Sequence, residues 1–264
     1  MIDFDFNQLS KPCQILTRIN ALEKTIYEIQ KSYINADIIL SGTDLIKEKL
    51  RIILELDQIT RVLCVEISLE PSFSAGRKKQ LTATVLEKEP SINKIDEQNL
   101  QHVKEILNTI GGWPIKSIYG SDAGTAVWAV VQHNNFDHEF QIETLYNLEK
   151  CVINNEADPK EFALLFDRVQ INSGAPQRYG TQGEPDNDNI WHPFECEQNS
   201  VENIESLISE LGIKGNGNVP WTLKEYYIHM NQEVPLDKLP EIKFLPVLKS
   251  KYYKYICENS PHHP

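Results

Sequence analysis

Residues 8–34 read QLSKPCQILTRINALEKTIYEIQKSYI, and their spacing decides the fold. Leu9, Leu16, Ile19, Leu22, Ile26, Ile29 and Tyr33 recur at intervals of three, four and seven, which lines an apolar stripe along one side of an α-helix. Pro12 sits near the start, where a first turn tolerates a residue without an N–H. Ser41-Gly42-Thr43-Asp44 then supplies cap chemistry for a second helix. Its apolar positions Leu45, Ile46, Leu50, Ile53, Leu54 and Leu56 continue beyond Arg61. The two helices are expected to pair as a hairpin.

The same period governs most of the chain downstream. Pro71 to Pro90, with its Ser, Gly and Arg77-Lys78-Lys79 run, reads as a mobile, solvated excursion, with a short strand near Leu81 to Leu86 as the alternative. Asp96 opens a third helix through Leu100, Val103, Ile106 and Leu107, stopped by Gly111-Gly112 and Pro114. Ala123 to Gln132 is apolar enough around Trp128 to be buried on most sides. Asp137 caps a fifth helix with Phe140, Ile142, Leu145 and Leu148 inward, and Asp158-Pro159 opens a sixth that should end by Gly174.

Beyond Gly174 the period changes. Gln177-Arg178-Tyr179-Gly180-Thr181-Gln182 and Ile190-Trp191-His192-Pro193-Phe194 flank an acidic, turn-rich stretch, which fits a long-looped hairpin or a pair of extended arms, with Pro193 confining the second arm to an edge. Ser200 caps a helix ended by Gly212, Lys214 to Pro220 is a loop, and Leu223 to Met230 is a short helix. Pro235, Pro240 and Pro246 mark an extended C-terminal arm in which Lys243, Lys249, Lys251 and Lys254 interleave with Phe244, Leu245, Val247, Leu248, Tyr252, Tyr253 and Tyr255. Docking of this arm on the body is favoured over its display to a protein partner or a second copy, because so much exposed apolar surface promotes aggregation. The fold class is therefore mainly α: an irregular multi-helix bundle with a small β-hairpin or extended-arm element. Residues 1–40 form an N-terminal helical addition, 41–230 the main domain with an excursion at 66–95, and 231–264 the arm.

Charge and composition narrow the partners. A formal net charge of −12 lacks the basic face that nucleic acid or an anionic membrane requires, so neither is an expected partner. The five scattered cysteines have no zinc-site or disulfide-scaffold spacing and read as reduced thiols. Without a basic-then-apolar start or a long apolar run, the protein is expected in the cytoplasm. No Walker loop, GxGxxG, HExxH or nucleophile elbow occurs, and no cofactor or metal is inferred.

Asp57-Gln58-x-x-Arg61, Gly112-Trp113-Pro114, Gln132-His133 with Asp137 and Phe140-Gln141, Asp167-Arg168-Val169 and Gln177 to Gln182 follow one another in an order that resembles a bacterial family known as domain of unknown function 6624. The resemblance runs over roughly residues 44 to 230. It implies a small, mostly helical cytoplasmic domain and brings no established reaction with it. The chain departs from the family at Asn134-Asn135, where members usually carry Ala-Asp after the His.

The residues themselves suggest a polar site. On a helix Asp57, Gln58 and Arg61 form a carboxylate, amide and guanidinium cluster, or an ordinary surface pair. His133 is the candidate acid or base, or simply a residue favoured by the helix C-terminus. Asp137 reads as an N-cap more than as a His orienter. In an extended strand Arg178 and Gln182 would face a site while Tyr179 packs the other way, and a buried network that knits the bundle competes with that reading. The functional expectation is a hydrolase or transferase for a small polar or anionic substrate, with His133, Arg178 and Gln182 catalytic and Asp57, Gln58, Arg61, Gln132 and Tyr179 binding the ligand. The alternative is a non-enzymatic binding or protein-interaction module whose polar cluster is structural.

Overall fold

A computed structural model describes residues 10–88, 92–213 and 221–247. The chain start, the Lys214 to Pro220 loop and the arm residues from Leu248 onward, including Lys249, Lys251, Lys254 and the three tyrosines, lie outside the described residues. The protein is mainly helical, with ten α-helices and one two-stranded antiparallel sheet among the described residues. It divides into two compact units, Met1–Asn134 and Asn135–Pro264.

The first unit contains α1 (Lys11–Ile39), α2 (Gly42–Leu69), α3 (Ala75–Lys88), α4 (Ile92–Ile110), α5 (Lys116–Tyr119) and α6 (Ser121–His133). Two residues, Leu40 and Ser41, join α1 to α2, and Lys11 and Arg18 near the start of α1 pair with Glu66 near the end of α2, so the helices form the expected antiparallel hairpin. The α1 stripe of Ile15, Ile19, Leu22, Ile26 and Ile29 packs with Ile52, Leu56, Leu63 and Ile67 of α2. Burial of each such side chain contributes about 1.5–3 kcal/mol before entropic costs.

The third element corrects the reading of Pro71 to Pro90 as a mobile excursion with a short strand near Leu81 to Leu86 as the alternative. Residues 75–88 form α3, and Leu81 and Val85 are buried in the α1–α2 core. One turn separates those two residues, which is all the apolar face this helix presents; Arg77 and Lys79 are on its exposed side and mask the period. The start is held by Ser74, whose Oγ accepts from the Arg77 N–H. Helix α4 begins at Ile92, ahead of Asp96, and is closed by Gly111 and Gly112 at φ +77° and +141°. In α6, Ala126, Val127, Ala129 and Val130 are all buried. Gly124 admits Trp113, since a Cβ there would lie 3.3 Å from the indole nitrogen.

The second unit contains α7 (His138–Ile153), α8 (Pro159–Asn172), β1 (Gly183–Pro185), β2 (Trp191–Pro193), α9 (Val201–Glu210), α10 (Leu223–Met230) and a 3-10 turn at Leu236–Lys238. Asp137, Asp158 and Ser200 cap α7, α8 and α9 through their side chains, and Thr222 with Glu225 forms a capping box on α10. The inward face of α7 differs from expectation. Ile142 is 48 % exposed, whereas Gln141, Thr144 and Leu148 are buried. Asn172 of α8 donates to Gln141 Oε1, so a polar contact turns the helix by about one residue relative to its apolar pattern.

The hairpin also lies elsewhere than expected. β1 and β2 pair Gly183 with Pro193, Glu184 with His192 and Pro185 with Trp191, so the strands begin where the hexapeptide ends. The described part of the arm is docked on this unit. Leu245 bridges Phe194, its N–H donates to Pro193 O, and its carbonyl accepts from Glu195 N. Val247 is buried with Ile171 and Phe194.

Candidate functional site

In the first unit, three helices bring four ionisable side chains together. Asp57 and Arg61 lie one turn apart on α2, Asp96 is in α4, and His133 is the last residue of α6. His133 Nδ1 is 3.0 and 2.9 Å from the two carboxylate oxygens of Asp57. Gln58 Nε2 donates to Asp57 Oδ2 at 2.6 Å. Arg61 Nη2 donates to both oxygens of Asp96, at 2.8 and 2.9 Å, and reaches Asp57 Oδ1 at 3.5 Å. The Asp57 carboxylate is 1 % exposed and the His133 ring 27 %.

The electrostatics follow from this packing. Burial pulls Asp57 upward, but the His133 hydrogen bond and charge, Arg61 and Gln58 outweigh it, so the carboxyl group lies below its ordinary range. Asp96 goes the other way. Its burial and the neighbouring Asp57 charge raise it more than Arg61 lowers it. An ionised Asp57 accepting from Nδ1 fixes the imidazole tautomer and leaves Nε2 as the basic nitrogen. Nε2 has no hydrogen-bond partner among the described residues. The neighbouring Gln132 is buried with its Oε1 unpaired.

The second unit holds the other expected site residues in a different arrangement. The hexapeptide is not an extended strand with alternating faces. It curls around the carboxylate of Asp167 on α8, which accepts the N–H groups of Arg178 at 2.8 Å, Tyr179 at 3.0 Å and Thr181 at 2.8 Å. A loop shaped this way points consecutive amides inward, which a flat strand cannot do. Gly180 makes the bend at φ +71°, and a Cβ there would fall 2.8 Å from Leu223 Cδ1. Burial pushes the Asp167 carboxyl up to about 6 against the lowering effect of those N–H groups.

Gln177, wholly buried, donates to Gln182 O and Phe194 O and accepts from Gln182 N. Gln182 Nε2 donates to Thr181 Oγ1. Tyr179 is buried edge-on to Phe162 and Phe166. Arg178 makes a two-pronged pair with Glu197 and lies 4.6 Å over the Phe166 ring. Asp137 accepts from Phe140 N as the cap of α7.

Sequence reasoning misses two carboxylates at the centre of these clusters, Asp96 and Asp167. Asp96 reads locally as a helix opener, and nothing near it in sequence announces Arg61 as its partner. Asp167 stands at an apolar helical position, and an acidic residue there is the one signal that the sequence offers for its role. Among the described residues no group of three or more His, Cys, Asp or Glu side chains could hold a metal ion, and no helix is long and apolar enough to cross a membrane.

The chain is thus a mainly helical protein with one small hairpin and two carboxylate-centred clusters, and a family model matches it. The chain belongs to that family, described as "Family of unknown function (DUF6624)", whose model matches residues 76–214. The matched residues include Asp96, His133, Asp167 and the hexapeptide; Asp57, Gln58 and Arg61 precede them. No curated protein and no solved structure matches the chain.

Proposed function

We propose that the Asp57–His133 pair is the acid–base centre of a hydrolase or transferase acting on a small polar substrate. The observation that carries this reading is the contact of both Asp57 oxygens with His133 Nδ1, on a ring that is itself partly exposed. His133 Nε2 takes the proton of an attacking water or hydroxyl and returns it to the leaving group, while Asp57 holds the ring and balances the imidazolium that forms. Position at the end of α6 adds to that stabilisation, because the carbonyl end of a helix favours a cation. Such proton transfer contributes roughly 10²–10⁴-fold to a rate. Arg61 is held by Asp96, and in this reading it positions Asp57 and offsets the negative charge of the centre.

A second reading is supported by that same Arg61–Asp96 pair, which together with Asp57 and His133 ties α2, α4 and α6 by one polar network. Turnover distinguishes the two. Panels of chromogenic esters, amides and phosphate monoesters are to be assayed with the full chain, His133→Asn and Arg178→Ala. The enzyme reading expects at least one substrate whose turnover disappears in His133→Asn and persists in Arg178→Ala. Identical rates for the full chain and His133→Asn on every substrate would leave the structural network as the answer.

A further inference from the structure

The first unit also contains a pocket of about 420 Å³ between α1, α2 and α4 that the acid–base centre does not use. This is within the range of small-molecule sites, about 300–1,000 Å³. Leu56 and Ile95 give it an apolar part. Asn99, although 1 % exposed, belongs to its lining, and the Asn99 amide nitrogen has no hydrogen-bond partner. A buried amide without a partner is unfavourable, and a ligand oxygen or ring nitrogen would recover that cost.

The rest of the lining sets the chemistry of that ligand. Tyr33 and His102 stack with centroids 4.2 Å apart and make an aromatic wall. Burial lowers His102, with Lys49 adding to the effect against Glu105, so the ring is neutral near pH 7. Burial and the charges of Glu105 and Asp37 raise Tyr33, which therefore keeps its phenolic proton. Among the described residues Asp37 carries the one formal charge in the lining, and Lys49 pairs with it at 2.7 Å while lying 4.8 Å over the Tyr33 ring. Among the described residues no cation lines the pocket, which disfavours an anionic ligand. A carboxamide offers a donor and an acceptor side by side, the pairing edge that a nitrogen heterocycle matches.

We propose that this pocket binds an uncharged, flat nitrogen heterocycle of nucleobase size, which presents an acceptor to Asn99 and a face to the Tyr33–His102 wall and carries no phosphate. This site is independent of the acid–base reading. The test is calorimetric and ligand-observed NMR titration of the full chain with adenine, uracil, nicotinamide and AMP. At least one free base should saturate with a Kd on the order of 1 mM or tighter, as expected for a ligand of roughly ten heavy atoms. AMP should bind no more tightly than adenine.

Asn99→Leu should weaken binding at least about tenfold, equivalent to one lost hydrogen bond. Ile34→Trp, at an exposed position on the pocket wall, should block it without lowering the melting temperature. His133→Asn should leave it unchanged, so failure here is separable from failure of the acid–base reading. The proposal is overturned if none of the three free bases saturates, if AMP binds tenfold better than adenine, or if Ile34→Trp binds as the unaltered chain does. Should Asn99→Leu not fold, Ile34→Trp decides alone.

Discussion

Asp57 and His133 are 76 residues apart in the chain, yet both carboxylate oxygens of the one contact the same ring nitrogen of the other. A contact of this kind couples protonation to folding. Asp57 is held below its ordinary value, so its contribution to stability is present above the unfolded carboxyl range and is lost as pH falls through the lower folded value. In Asp57→Asn that acid-side loss should shrink, which urea melts between pH 3 and pH 5 would reveal. An unchanged acid limb would mean that the pair does not form.

Asp167 should show the opposite sign. Its folded value is about 6, above the ordinary 3.8, so the folded state binds the proton more tightly and stability falls as pH rises from about 4 to about 6. Asp167→Asn removes that slope. It also turns an amide N–H toward backbone N–H donors, at a cost of about 1–3 kcal/mol at low pH, where the native carboxyl is protonated. Denaturant melts of both proteins across this range measure the difference directly.

The helical assignment of residues 75–88 predicts a sharp contrast. Leu81→Ala should destabilise by about 2–5 kcal/mol, whereas Lys79→Ala, on the exposed side, should change stability by less than about 0.5 kcal/mol. Equal and small effects in equilibrium unfolding would return this segment to the solvated loop that its charges suggest.

Gly180→Ala combines two penalties, a left-handed backbone angle and a Cβ 2.8 Å from Leu223. Destabilisation should exceed about 1 kcal/mol. Adding Leu223→Ala should relieve the steric part alone, giving a double-mutant coupling of opposite sign to the single losses.

Removing residues 240–264 should lower the melting temperature, because it deletes both backbone bonds of Leu245 and the buried Val247. Differential scanning fluorimetry together with sedimentation velocity checks this. A truncated chain with unaltered melting and lost self-association would make the arm an interaction element instead.

Much of the helical scaffold was legible because its periods are long and unbroken. The α1 stripe, the Asp158-Pro159 start of α8 and the glycine stops after α4 and α9 each rest on local rules. Helix α3 was not legible, since two apolar residues one turn apart leave no stripe beside three consecutive cations. The hexapeptide was recognisable as unusual, but its use was not. Its information is in backbone N–H groups, which every residue but proline carries, and only the position of Asp167 reveals that they converge. Pairings such as Arg61 with Asp96 depend on how separate helices meet, which no local window contains.

One boundary has a practical meaning for the family. Helix α2 ends at Leu69 and the family model begins at residue 76, so the carboxylate that steadies His133 comes from outside the segment that the model recognises. A fragment that begins at residue 76 would keep His133 and discard Asp57, along with both helices of the α1–α2 hairpin. In this chain the matched segment is thus only part of a packed unit: α3, α4 and α6 close on helices that lie ahead of residue 76.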